Sequence, residues 1–135
     1  MPGHGLVVVG AALLRDGKVL VAQRAHPPAL AGLWELPGGK VEPGEDEQAA
    51  LVRECREELG VEVTLAGALT AEVPTVGVKG VLRTYVGAIT AGEPQPREHQ
   101  ALRWLGRDEL EAVPWLPSDL ALLPALAAVL VPAAP

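Results

Sequence analysis

Glu54, Glu57 and Glu58 stand at positions i, i+3 and i+4 of a run rich in helix formers, so a helix there gathers their carboxylates along one face. Stacked negative charges repel one another, and Glu57 and Glu58 fall in the last turn, where the helix dipole is itself negative. A helix built for stability alone would carry them elsewhere. Convergent carboxylates suit a hard divalent cation such as Mg²⁺, with Mn²⁺ as a substitute, which completes its octahedron with water and phosphate oxygens. Taken alone, the same helix also reads as a solvated acidic face partly balanced by Arg53 and Arg56. Just upstream, the glycines of Pro37-Gly38-Gly39 let backbone amides and carbonyls approach a ligand closely, and Lys40 supplies a mobile cation for phosphate.

The pattern of the chain indicates what must position these groups. Leu6 to Leu14 and Lys18 to Gln23 are β-type runs joined across Asp16-Gly17, which predicts an antiparallel hairpin. His26 to Gly32 reads as a loop, Leu33 to Leu36 as a short apolar segment, and Pro37-Gly38-Gly39 as a forced turn. Glu45 to Leu59 predicts a helix with acidic residues in its first turn, Gly60 as C-terminal cap, and Leu51, Val52, Cys55 and Leu59 toward the core. Val61 to Val73 and Val81 to Ile89 read as strands, with Ala101 to Leu105 a shorter one. Asp108 to Val113 reads as a short helix, and Ser118 as the cap of another beginning at Asp119, which Pro124 kinks or restarts. Strands and helices mix without βαβ alternation, so the expected class is α+β, a mixed-sheet sandwich.

Composition narrows the partners. The 135 residues suit one domain spanning the whole chain, and 49% hydrophobic residues exclude disorder except at the ends. A net charge of −6 repels nucleic acid backbones and anionic lipid surfaces, so neither is an expected partner and any anionic ligand needs a local cationic device. The single cysteine, Cys55, forms no intramolecular disulfide and points to a reducing cytoplasm. The apolar run from Leu120 to Val131 is too short for a membrane span, and only the last few residues look like a tail. Abundant Ala, Gly, Pro and Arg with no Phe or Asn suggest GC-rich bacterial coding.

From Gly39 one reads five residues, Glu45, seven residues, then Arg53-Glu54-Cys55-Arg56-Glu57-Glu58-Leu59-Gly60-Val61, and this resembles the complete Nudix box of the Nudix hydrolases. Cys55 departs from the family's usual Ile, Leu or Val, but a buried thiol behaves as a small hydrophobe. Val21-Ala22-Gln23-Arg24, Leu33-Trp34-Glu35-Leu36-Pro37-Gly38-Gly39-Lys40 and Trp115-Leu116-Pro117-Ser118-Asp119 resemble the MutT-like branch. The resemblance implies a Nudix fold, a mixed sheet between helices, and hydrolysis of a nucleoside triphosphate, bound as its metal complex, to monophosphate and pyrophosphate. It implies that Glu54, Glu57 and Glu58 bind the metal with a backbone carbonyl of Gly38 or Gly39. Arg53 would orient the carboxylates, and Glu45 would fix the helix and bond back to the loop. Glu98 resembles the branch's loop glutamate and is a candidate general base, with Glu54 its competitor.

For the nucleotide, the resemblance points to Arg24, Trp34, Glu35, Leu36, Pro37, Gly38, Lys40, Tyr85 and Asp119. Arg24 also reads as an edge-strand cation, Trp34 and Trp115 as core, and Asp119 as a residue that favours a helix start. An ionised Asp119 accepts only, which suits the exocyclic amine of cytosine; a protonated one also donates and could read the keto face of an oxidised guanine. Leu82-Arg83-Thr84-Tyr85 resembles MutT-like members that handle cytidine triphosphates as well as 8-oxo-dGTP, so the resemblance implies 8-oxo-dGTP, a cytidine triphosphate or both as substrate and leaves the base open. The alternatives are a Nudix pyrophosphatase for dinucleoside polyphosphates or nucleotide sugars, and a nucleotide-sensing module without turnover. A monomer and a homodimer are both compatible with the sequence.

Overall fold

The computed structural model describes residues 5–130. Its elements run β1 (Leu6–Arg15), β2 (Lys18–Arg24), β3 (Trp34–Glu35), β4 (Gly38–Lys40), α1 (Glu47–Leu59), β5 (Glu62–Ala68), β6 (Val73–Pro74), β7 (Gly80–Ala91), β8 (His99–Gly106), a 3₁₀ turn (Arg107–Ala112), α2 (Pro117–Leu120) and α3 (Leu123–Val129). The end of the apolar run at Val131 and the expected tail lie outside the described residues.

The sheet is mixed. β1 runs parallel to β7 from Leu6↔Gly80 to Leu13↔Gly87, and every other strand pairing is antiparallel. Alternation along β1 divides the core. Val9, Ala11 and Leu13 pack with Ala50, Leu51, Cys55 and Leu59 of α1, while Ala12 faces the layer of Leu122, Leu126 and Leu130. The sheet thus lies between α1 on one face and the C-terminal helices on the other, the sandwich the sequence predicts.

The hairpin turn forms at Asp16-Gly17, both at positive φ, yet β1 and β2 pair only at Leu14↔Val19 and Arg15↔Lys18. Beyond that point β2 leaves to pair with β8, and the vacated edge of β1 takes β4 at Val8↔Lys40, Val9↔Gly39 and Gly10↔Gly38. This corrects the expected turn at Pro37-Gly38-Gly39. The chain bends at Leu36–Pro37 to pass from β2 to β1, and the glycines continue as a strand. Their lack of a side chain serves close approach: a Cβ on Gly38 would lie 1.9 Å from the Val9 carbonyl oxygen.

Other boundaries shift, among them the short helix expected over Asp108 to Val113, which is a 3₁₀ turn over Arg107–Ala112. Asp46, not Glu45, opens α1: its carboxylate accepts from the Ala49 N–H at 3.0 Å, and the helix ends on left-handed Gly60. The strand expected over Val61 to Val73 breaks into β5 and β6, both on β7, with a register shift between Leu65 and Ala68. β8 begins two residues earlier than expected, at His99, which brings His99 opposite Arg24. Pro117 starts α2 ahead of Ser118, since its fixed φ suits a first helical position. The Ser118 hydroxyl instead accepts from the Val76 N–H at 2.8 Å.

Candidate active site

Because α1 packs on the face of the sheet that carries β4, its carboxylates meet the glycine strand. The Gly38 N–H donates to Glu58 Oε1 at 3.3 Å, and a Cβ on Gly39 would lie 2.5 Å from Glu54 Cδ. Arg53 gathers the rest. Its Nε and Nη2 donate to the two oxygens of Glu45 at 2.8 Å and 3.0 Å, its Nη1 to Glu54 at 3.1 Å and Glu57 at 3.2 Å, and its Nη2 also to the Lys40 carbonyl at 3.3 Å. Glu45 in turn accepts from the Glu42 N–H at 3.1 Å, so it bonds back to the loop.

The three helix carboxylates are not equivalent. Burial raises the Glu54 carboxyl above its ordinary value despite Arg53, and it pushes Glu58 up to about 7 against the opposing charge of His99. The Glu57 side chain remains 55% exposed on the Arg53 side. Among the described residues no three His, Cys, Asp or Glu side chains already close into a metal cage. The donor set nevertheless fits a hard cation. Two partly buried carboxylates lie against backbone that has no room for a side chain, and their desolvation leaves them short of positive charge. Lys40 is exposed on β4, and its ammonium forms no ion pair among the described residues. Cys55 lies fully buried beneath, its thiol pushed up to about 12 by burial, so it packs as the sequence expects and is chemically quiet.

Glu98 is exposed in the bend just before β8, near enough to Glu54 that its charge helps raise that carboxyl. Its neighbours are firmly held. His99 places Nε2 3.1 Å from Glu35 Oε2, and Glu35 binds Arg24 through both oxygens at 3.1 Å and 3.3 Å. Burial alone would lower the imidazole, but the hydrogen bond with Glu35 and the charges of Glu58 and Glu35 hold it above its ordinary value. Sequence reading passed over His99 and Arg97, because nothing in the polar stretch before β8 distinguishes them from solvated loop residues.

Asp119 is buried, 5% exposed, and its Oδ2 accepts from the Leu36 N–H at 3.0 Å. Burial pushes its carboxyl up to about 7, opposed by that hydrogen bond. Arg24, Glu35, Leu36 and Asp119 thus form one contiguous group. Trp34 and Leu36, at 6% and 4% exposure, spend their side chains in the core beside Trp115 rather than at an open surface. Tyr85 is not brought to this group. It packs on the α1 side of the sheet, where its hydroxyl donates to Glu47 Oε1 at 3.0 Å and Arg83 pairs with the same carboxylate.

The NUDIX domain model matches residues 4–126. A Mycobacterium tuberculosis protein named "Putative 8-oxo-dGTP diphosphatase 2" is 48% identical over 115 residues, 84% of this chain and 82% of its own length. The CTP pyrophosphohydrolase of Escherichia coli is 43% identical over 123 residues, covering 90% of this chain and 91% of that protein. The crystal structure of a MutT NUDIX hydrolase from Burkholderia pseudomallei superposes with a TM-score of 0.76 at 36% identity, covering 87% of this chain and 95% of that one. With its intact box folded against the glycine strand, the chain belongs to the NUDIX domain family and is a MutT-like hydrolase.

Proposed function

We propose that this protein hydrolyses a nucleoside triphosphate to the monophosphate and pyrophosphate with Mg²⁺, for which Mn²⁺ can substitute. The observation that carries this reading is the meeting of Glu54 and Glu58 with the Gly38–Gly39 backbone under the clamp of Arg53. Glu54, Glu57, Glu58 and a carbonyl of Gly38 or Gly39 would hold the metal. When bound, the divalent ions neutralise the phosphates, polarise the phosphoryl oxygens and lower the pKa of an attacking water. That makes them the cationic device a chain of net charge −6 requires.

The protein's own groups supply the rest. Arg53 spends its guanidinium on orienting Glu45, Glu54 and Glu57, which leaves Lys40 free to meet phosphate oxygens. Glu98 takes the proton of the water that attacks the β-phosphorus, and the bond from that phosphorus to the bridging oxygen breaks to release the monophosphate. Asp119 reads the base, with Arg24 and Glu35 beside it. A carboxyl near 7 exists in both forms at neutral pH, so it can accept from the amine of cytosine and, protonated, donate to the keto oxygen of an oxidised guanine. This supports 8-oxo-dGTP and cytidine triphosphates as substrates, in keeping with the names of the two relatives. The enzyme would work as one domain on the cytoplasmic nucleotide pool. Among the described residues no helix is long and apolar enough to cross a membrane.

The test is a panel of nucleoside triphosphates, dinucleoside polyphosphates and nucleotide sugars incubated with Mg²⁺ in ¹⁸O-labelled water, with products resolved by ion exchange. Labelled pyrophosphate with unlabelled monophosphate is expected. Label in the monophosphate would place attack at the α-phosphorus, and orthophosphate as the first product would overturn the reading.

A further inference from the structure

The loop that carries Glu98 is docked onto the carboxylate helix. The Gln95 N–H donates to the Leu59 carbonyl at 3.0 Å, the Arg97 N–H to the Glu58 carbonyl at 3.2 Å, and Arg97 Nη1 to the Arg56 carbonyl at 3.2 Å. The Leu59 and Glu58 carbonyls belong to the last helical turn, which has no intrahelical donors for them. The Arg56 carbonyl accepts from both the Gly60 N–H and Arg97, whose guanidinium meets the negative end of the helix dipole. The fit at the cap is close: a Cβ on Gly60 would lie 2.6 Å from Arg97 Nη2. On the other side of Glu98, the side chain of His99 is only 6% exposed and is fastened to Glu35, which binds Arg24. β8 begins at His99, whose register partner is Arg24, so the loop ends at this point. The Glu98 side chain makes no hydrogen bond among the described residues, while the residues on either side of it are anchored.

We propose that Arg97 and His99 are positioning residues that hold Glu98 over the helix carboxylates from either side, Arg97 through the end of α1 and His99 through Glu35 and Arg24. This rests on the reading of Glu98 as the group that takes the proton. The same chain that fixes Glu98 reaches the segment bound by Asp119, because Glu35 immediately precedes Leu36. Nucleotide contacts at Arg24 or Glu35 therefore bear on the placement of the catalytic loop.

A double-mutant cycle tests this, with kcat, KM and thermal unfolding measured for Arg97→Met, His99→Phe and Glu98→Gln, singly and combined. In the wild-type background Arg97→Met and His99→Phe should each lower kcat by roughly 10- to 100-fold, the loss expected for a reacting group misplaced by about an ångström. KM should change little for Arg97→Met, whose partners lie at the end of α1, and for His99→Phe it should change by less than the loss of kcat. In the Glu98→Gln background the same changes should cost less than about twofold, since no group remains to be positioned. His99→Gln, which keeps an N–H for Glu35, should recover most of the loss. If Arg97→Met fails to fold, Arg97→Lys keeps the charge without the planar fork and should show the same split between kcat and KM. Multiplicative losses in the double mutants would overturn the positioning role while leaving Glu98 as the proton acceptor. Full activity of Glu98→Gln alone would overturn both.

Discussion

Asp119 and Leu36, 83 residues apart, are joined by one hydrogen bond of 3.0 Å, from the Leu36 N–H to a carboxylate buried in the layer under the C-terminal helices. The bond ties α2 to the bend at which the chain passes from β2 to β1. It therefore links the residue proposed to read the base with the strand that lines the carboxylates.

The titration of Asp119 makes stability depend on pH. Its folded pKa, about 7, lies above the ordinary 3.8, so between these values the folded state holds a proton that the unfolded state has released. The contribution is most favourable below about pH 4 and declines as pH rises toward 7, by on the order of a few kcal/mol. Asp119→Asn should remove this part of the slope. Thermal unfolding of the two proteins, free of metal, from pH 4 to 8 would show the curves converging at low pH. A parallel offset across the range would refute the assignment.

The same substitution should change which nucleotide is preferred. It exchanges one acceptor for a donor at nearly constant volume. Specificity for cytidine triphosphates should fall by roughly 5- to 150-fold, the equivalent of a charged hydrogen bond of about 1–3 kcal/mol, while turnover of 8-oxo-dGTP holds or rises. Competition between the two nucleotides measures the ratio directly, and an unchanged ratio would place base reading elsewhere.

Glu58→Gln and Glu57→Gln should separate catalysis from stability. Both should lower activity with Mg²⁺ by orders of magnitude if both carboxylates bind the cation. Of the two variants, only Glu58→Gln should noticeably raise the melting temperature of the metal-free protein at neutral pH, because Glu58 is a desolvated carboxyl raised to about 7 whereas the Glu57 side chain is more than half exposed. Full activity in either variant would remove that residue from the metal site.

The two glycines of β4 should fail differently. Gly39→Ala sets a methyl 2.5 Å from Glu54 Cδ, a movable side-chain end, so the fold should survive while metal-dependent activity drops at least about tenfold through displaced carboxylates. Gly38→Ala sets it 1.9 Å from the Val9 carbonyl oxygen, which is backbone, so loss of β4 pairing and about 2 kcal/mol or more of stability should come first. Circular dichroism melts beside activity assays distinguish the two.

Arg53→Ala should weaken the metal site more than the fold. Its ion pairs are partly solvent-exposed, so their loss should cost only about 1–2 kcal/mol by chemical denaturation. Glu54 and Glu57 would nonetheless lose their common anchor. Mg²⁺ titration of activity should show the midpoint moving to higher concentration, and an unmoved midpoint would mean that Arg53 does not order the carboxylates.

Much of the site was legible along the chain because its parts lie on one helix and one short strand. The spacing of Glu54, Glu57 and Glu58, the cap at Gly60 and the Asp16-Gly17 turn follow from local geometry, which sequence periodicity reports directly. Tertiary structure decided what depends on neighbours distant in sequence. Pro37-Gly38-Gly39 carries the composition of a turn, but the open edge of β1 makes a strand of Gly38-Gly39, since hydrogen-bonded pairing outweighs local preference. Asp119 reads locally as a helix-start residue, whereas its burial and raised carboxyl arise from Leu36 and the surrounding core. The anchoring of Glu98 could not be read at all, because Arg97 meets Arg56 across 41 residues and His99 meets Glu35 across 64, and only the folded chain brings those groups to hydrogen-bond length.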